Sequence, residues 1–167
     1  MQYQKKTHGF GPRPVKDLSI APVDNEINFV QPAKKEKPLV LVFSRDADAS
    51  FLYRTILEIW SYRVKEFSAL EDLPVIIENE LPDLILMDGV RQFEENLENL
   101  RRIRADKRFC CLPVILVSGF VQDAFRNSAL ACGADDFLVK PLDFDLLERT
   151  VKKNIRGFAG GVRLDNL

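Results

Sequence analysis

The stretch Leu81-Pro-Asp-Leu-Ile-Leu-Met-Asp88 constrains the fold more than any other. Pro82 lacks an amide hydrogen and cannot continue a helix, so it marks a boundary. Leu84 to Met87 is then an unbroken apolar run of strand length. That is the pattern of a strand buried on both faces in a parallel sheet. Asp88 ends the run. A carboxylate at the carboxyl end of a buried parallel strand lies where open α/β sheets place their chemistry. Taken alone, it reads first as a cap of the following turn.

Other apolar runs repeat the pattern. Leu39 to Phe43 reads as a first strand, and Ser44-Arg-Asp-Ala-Asp48 as a loop with helix-capping residues. Ala49, Leu52, Ile56 and Ile59 recur at helical spacing. A short strand, Arg63 to Phe67, precedes a helix expected over Leu70 to Glu80, where Pro74 fits only the first turn. After Leu84 to Asp88, Leu97, Leu100 and Ile103 mark a third helix, and Val114 to Val117 a fourth strand. Phe125, Ala129 and Cys132 form the inner stripe of a fourth helix, with Gly133 just past its end. Phe137 to Val139 is a fifth strand. Phe144, Leu147, Val151, Ile155 and Phe158 share one face of a fifth helix. Five alternations of strand and helix mean an α/β fold, a doubly wound parallel sheet covered on both faces.

Residues 1–37 read as a flexible N-terminal tail, 38–160 as the folded domain and 161–167 as a short end. The tail holds four prolines and a net charge of +3, against −4 for the remainder. Such a segment buries too little apolar surface to offset its ordering entropy. A docking arm for an acidic partner is the alternative. The overall charge of −1 gives no general attraction to nucleic acid or membrane. No apolar run is long enough to span a bilayer, and no signal-peptide core begins the chain. Three cysteines without metal-ligand spacing suit a reducing, cytoplasmic compartment. The single histidine, His8, lies in the tail, which argues against a catalytic cysteine.

The strand ends contribute Ser44, Arg45 and Asp46, then Asp88, Ser118 and Lys140, all on one edge of a parallel sheet. Together they suit phosphoryl chemistry. The carboxylate can attack phosphorus, and the hydroxyl and ammonium can hold its oxygens. Over about Pro38 to Phe158 the chain resembles the receiver domain of two-component response regulators. The resemblance rests on Leu-Pro-Asp-Leu-Ile-Leu-Met-Asp88, Leu-Pro-Val-Ile-Leu-Val-Ser118 and Gly133-Ala-Asp-Asp-Phe-Leu-Val-Lys-Pro141, with intervals of 30 and 22 residues between Asp88, Ser118 and Lys140. It implies a flavodoxin-like fold with strand order 2-1-3-4-5, and Asp88 as phospho-acceptor. It also implies Ser118 and Lys140 as phosphoryl ligands, Phe137 as an aromatic switch and a cis bond before Pro141.

One departure outweighs the matches. The family places two acids after its first strand to hold Mg²⁺, together with the acceptor and a backbone carbonyl, here Val90. Ser44 and Arg45 stand at those acid positions. Mg²⁺ demands a near-octahedral shell of oxygens, so metal binding is expected to be weak or absent and no cofactor is implied. Asp46 should point elsewhere. The loop after Asp88 also departs, lacking the proline and glycine the family usually carries along it.

Three readings follow. The first is a degenerate, phosphorylation-independent receiver, or pseudo-receiver, acting as a protein-binding module and not an enzyme. The second is a working receiver that takes a phosphoryl group on Asp88 from a histidine kinase and catalyses at most its own phosphotransfer and dephosphorylation. The third is a flavodoxin-like cofactor binder, opposed by a first loop without glycine. A partner, kinase or effector, is expected on the face of the fourth helix, fifth strand and fifth helix. No nucleic-acid contact is expected. Arg45 is expected to turn into the pocket and pair with Asp88.

Overall fold

The computed structural model describes residues 37–89, 91–156, 158–159 and 162–163. The proposed tail lies outside them except for Lys37, as do Val90 and most of the end at 161–167. Strands β1 (Leu39–Phe43), β2 (Arg63–Phe67), β3 (Leu84–Asp88), β4 (Val114–Ser118) and β5 (Asp136–Val139) pair in parallel in the order β2-β1-β3-β4-β5. Between and after them run α1 (Ala47–Ile59), α2 (Leu73–Asn79), α3 (Phe93–Ala105), α4 (Asp123–Ala131) and α5 (Phe144–Arg156). A two-residue pair, β6 (Phe158–Ala159) and β7 (Val162–Arg163), is antiparallel.

Alternation along the strands sorts the core into two layers. Leu39, Leu41, Phe43, Ile85, Met87, Val114, Leu116 and Phe137 join one cluster with Leu73 of α2, Leu100 and Ile103 of α3 and Ala129 of α4. Val40, Val42, Leu84, Leu86, Ile115, Val117 and Leu138 join the other with Tyr53 and Leu57 of α1 and Leu147 and Val151 of α5. The three central strands are buried on both faces, which accounts for their unbroken apolar runs.

Three local expectations are corrected. The inner stripe of α1 is Tyr53 and Leu57, with Ala49 partly buried beside them, while Leu52 and Ile59 are exposed. Two apolar stripes compete on that helix, and the i, i+4 series from Ala49 is the one facing the sheet. The expected second helix is a 3₁₀ turn, Leu70–Asp72, followed by α2 from Leu73, with Pro74 in its first turn. Finally, α5 ends at Arg156, so Phe158 lies in β6 and not on the helix, and Phe144 at its start is exposed.

One arginine ties the start of β4 to its surroundings. Arg104 donates to the carbonyls of Gly133 (2.8 Å), Leu112 (2.7 Å), Phe109 and Cys110 (both 3.3 Å), and pairs with Asp135 at 2.8 Å. Asp135 in turn accepts from Val114 N at the first residue of β4. Gly133 follows α4 with φ +106°, a left-handed value that side chains rarely adopt, and a Cβ there would lie 2.5 Å from Arg104 Cγ. Gly133→Ala should therefore cost about 1–3 kcal/mol, by strain and by displacing Arg104. Urea unfolding measures this, and an unchanged midpoint would mean that Arg104 is not held as described.

Candidate functional site

The same alternation decides what meets at the carboxyl edge of the sheet. Met87 faces the α2–α4 layer, so Asp88 faces the α1–α5 layer. Ser44 follows Phe43 and Lys140 lies three residues after Phe137, so both point to that same side. Asp88 is 5% exposed. Its Oδ1 is 2.5 Å from Lys140 Nζ and accepts the Tyr53 hydroxyl at 3.0 Å. Its Oδ2 lies 3.1 Å from the Ser44 hydroxyl. That hydroxyl also has the Asp46 carbonyl at 3.1 Å and accepts from Asp46 N. Its one proton serves Asp88 better, because a charged acceptor makes the stronger bond.

Ser118 follows Val117 and so faces the opposite layer. It is fully buried, and its Oγ accepts from Phe120 N at 3.2 Å, not from Asp88 or Lys140. Its carbonyl does receive Lys140 N at 2.8 Å, which holds the lysine at the strand end. The Lys140–Pro141 peptide is cis. Phe137 is 2% exposed, within the core layer that faces α4.

Arg45 does not pair with Asp88. It reaches Glu95 of α3 at 2.5 Å, with half its side chain exposed. The reason is again alternation. Arg45 follows Ser44 and leaves on the α3 side, and Asp88 already has its donors from the other. Asp46 does point away. It is the N-cap of α1, accepting from Asp48 N (2.9 Å) and Ala49 N (3.0 Å), and the Ala49 bond foremost holds its carboxyl below the usual range. Among the described residues, no group of three or more His, Cys, Asp or Glu side chains could hold a metal ion.

Tyr53 was not singled out by the sequence reading. It is 2% exposed and its hydroxyl donates to Asp88 Oδ1. Burial foremost, then the negative charge of Asp88, pushes its phenol well above the ordinary 10. The signal was present in the spacing Ala49, Tyr53, Leu57, which places a phenol on the helix face turned to the sheet.

A five-stranded parallel sheet thus gathers a carboxylate, an ammonium and a hydroxyl at its carboxyl edge. The family model of the response regulator receiver domain matches residues 40–152, and the chain belongs to that family. It is 29% identical over 119 residues to the phosphate regulon transcriptional regulatory protein PhoB of Rhizobium meliloti, covering 71% of this chain and 52% of that protein. It is 30% identical over 115 residues to the transcriptional regulatory protein ZraR of Salmonella typhimurium, covering 68% and 25%. The chain thus spans about half or a quarter of the length of these relatives. Among solved structures it resembles a response regulator from Thermotoga maritima (TM-score 0.63, 28% identity, covering 72% of this chain and 98% of that one). The fold is also that of the receiver domain of a Pseudomonas aeruginosa sensor histidine kinase, solved with a magnesium ion in its active site cleft (TM-score 0.61, 23% identity, covering 72% and 98%).

The Tyr53 bond has a pH signature. Its folded pKa lies above the unfolded value of 10, so its contribution to stability is full below pH 10 and is lost as the pH rises toward the folded value. Stability should fall more steeply above pH 10 in the native chain than in Tyr53→Phe. Unfolding midpoints at pH 9 to 11.5 check this, and parallel curves would remove the phenol from the site.

Proposed function

We propose that this receiver works as a protein-binding module whose resting state is set by its own side chains and not by a metal and a phosphoryl group. One observation carries the reading. Both oxygens of Asp88 have internal donors within reach, Lys140 and Tyr53 on one and Ser44 on the other. Magnesium needs several oxygen ligands in near-octahedral array. The acid positions beside Asp88 hold a hydroxyl and a guanidinium, and Asp46 is committed to the start of α1. The residues present do not fit the ion. Three donors also occupy three of the roughly four acceptor sites of a carboxylate, which lowers the nucleophilicity of Asp88.

A second reading rests on Asp88, Ser118 and Lys140 all being retained at adjacent strand ends. On it, Asp88 accepts a phosphoryl group from a histidine kinase. In both readings the partner is a protein, kinase or effector, met in the cytoplasm without nucleic-acid contact by this domain. The favoured surface is α4-β5-α5. Val139, Phe144 and Leu146 are exposed there beside a cavity of about 300 Å³ lined by Arg126, Phe137, Pro141 and Thr150. Partner contact then falls on Val139 and Leu146 and not on the buried Phe137 ring.

Incubation with millimolar Mg²⁺ and acetyl phosphate, read by intact mass, separates the two. The first reading expects no phosphoryl adduct. A stoichiometric adduct that is absent from Asp88→Asn would establish the second. As a companion, the variant carrying Ser44→Asp, Arg45→Asp and Tyr53→Phe should gain Mg²⁺ affinity by calorimetry, at least tenfold over the native chain. No gain would mean that the pocket differs by more than those side chains.

A further inference from the structure

At the opposite edge of the sheet, two exposed thiols sit side by side. Cys110 and Cys111 lie in the turn between α3 and β4, with their sulfurs 3.4 Å apart and not joined. Three features distinguish the pair from incidental surface cysteines. First, the backbone is held. Arg104 donates to the carbonyls of Phe109, Cys110 and Leu112, so the turn carrying both thiols is fastened to α3 and to Asp135. Second, the pair opens onto a cleft that has Lys107 and Arg108 on its wall. Third, the same cleft has an apolar side made by Ile77, Leu81 and Pro82.

Adjacent residues suit a chelate better than a disulfide. Their Cα atoms are about 3.8 Å apart across a trans peptide, less than the 4.4–6.8 Å that disulfides usually span. A shared larger atom avoids that strain. Sulfurs 3.4 Å apart and each about 2.3 Å from one centre subtend roughly 95° there, narrower than a tetrahedral angle. That suits a pyramidal, three-coordinate centre better than tetrahedral zinc. We propose that Cys110 and Cys111 form a two-thiol site for a trivalent organoarsenical, its arsenic held by both sulfurs and its organic group lying against Ile77, Leu81 and Pro82. Soft sulfur prefers such a soft centre. With an arsenic(III) oxide the two S–H bonds and the arsenic–oxygen double bond break. Two As–S bonds form, and the oxygen leaves with both protons as water. Arsenic stays trivalent, so no oxidant or reductant enters.

The probe is phenylarsine oxide, added to the full chain in excess 2-mercaptoethanol and read by intact mass. The expected result is one adduct per chain that resists the monothiol and is released by dimercaptopropanol. Cys132→Ser, which alters the half-buried third cysteine, should keep the adduct. Cys110→Ser and Cys111→Ser should each lower its retention at least tenfold while circular dichroism stays native. The native chain alone can overturn the proposal by taking up no monothiol-resistant adduct. Full retention in Cys110→Ser would overturn it as well.

Discussion

The alternation of side chains along parallel strands governs which groups Asp88 can meet. Each of the three central strands is buried on both faces, so none can slip by one residue without moving its whole apolar set to the wrong layer. Their ends are therefore as well placed as their middles. Asp88, Ser44 and Lys140 face the α1 side, and Tyr53 comes to them from α1 itself. Ser118 and Arg45 fall on the other side and find Phe120 and Glu95 instead. The site is thus divided between two faces of one sheet edge.

Energetically, a carboxylate so deeply buried has to be compensated. Removing it from water costs several kcal/mol even after relaxation, and a single ion pair seldom returns more than it loses. Lys140 supplies charge, but its side chain is 38% exposed and keeps part of its hydration. Tyr53 and Ser44 add hydrogen bonds to a charged acceptor, each worth about 1.5–3 kcal/mol when the partner is ionised. One charged donor and two neutral ones thus surround the carboxylate. The cost falls on the Tyr53 phenol, which burial foremost, and then the adjacent charge, make harder to ionise.

Much of this was legible in the sequence, for identifiable reasons. Short unbroken apolar runs bounded by turn residues, such as Leu84 to Met87, fit strands covered on both sides, so sheet, order and the place of Asp88 followed from pattern and family resemblance. Lys140, just past β5, lies beside Asp88 at that edge. The losses came where two local patterns tie. On α1 both Leu52–Ile59 and Tyr53–Leu57 are helical stripes, and only packing against β1 and β3 chooses the second. A carboxylate paired with Lys140 has room for further donors; the sequence points to Arg45 for that place, and the structure fills it with Tyr53 and Ser44. Strand parity would have sent Arg45 toward α3, a rule that needs only the assignment of Ser44 to the strand's end.

The account stands on the direct coupling of Tyr53 to Asp88. A double-mutant cycle with Tyr53→Phe, Asp88→Ala and the pair, measured by denaturant unfolding at pH 7, tests it most directly. The account predicts that the two losses are not additive, with a coupling of about 1 kcal/mol or more, within the range for residues in contact. Additive losses, with a coupling near zero, would contradict it.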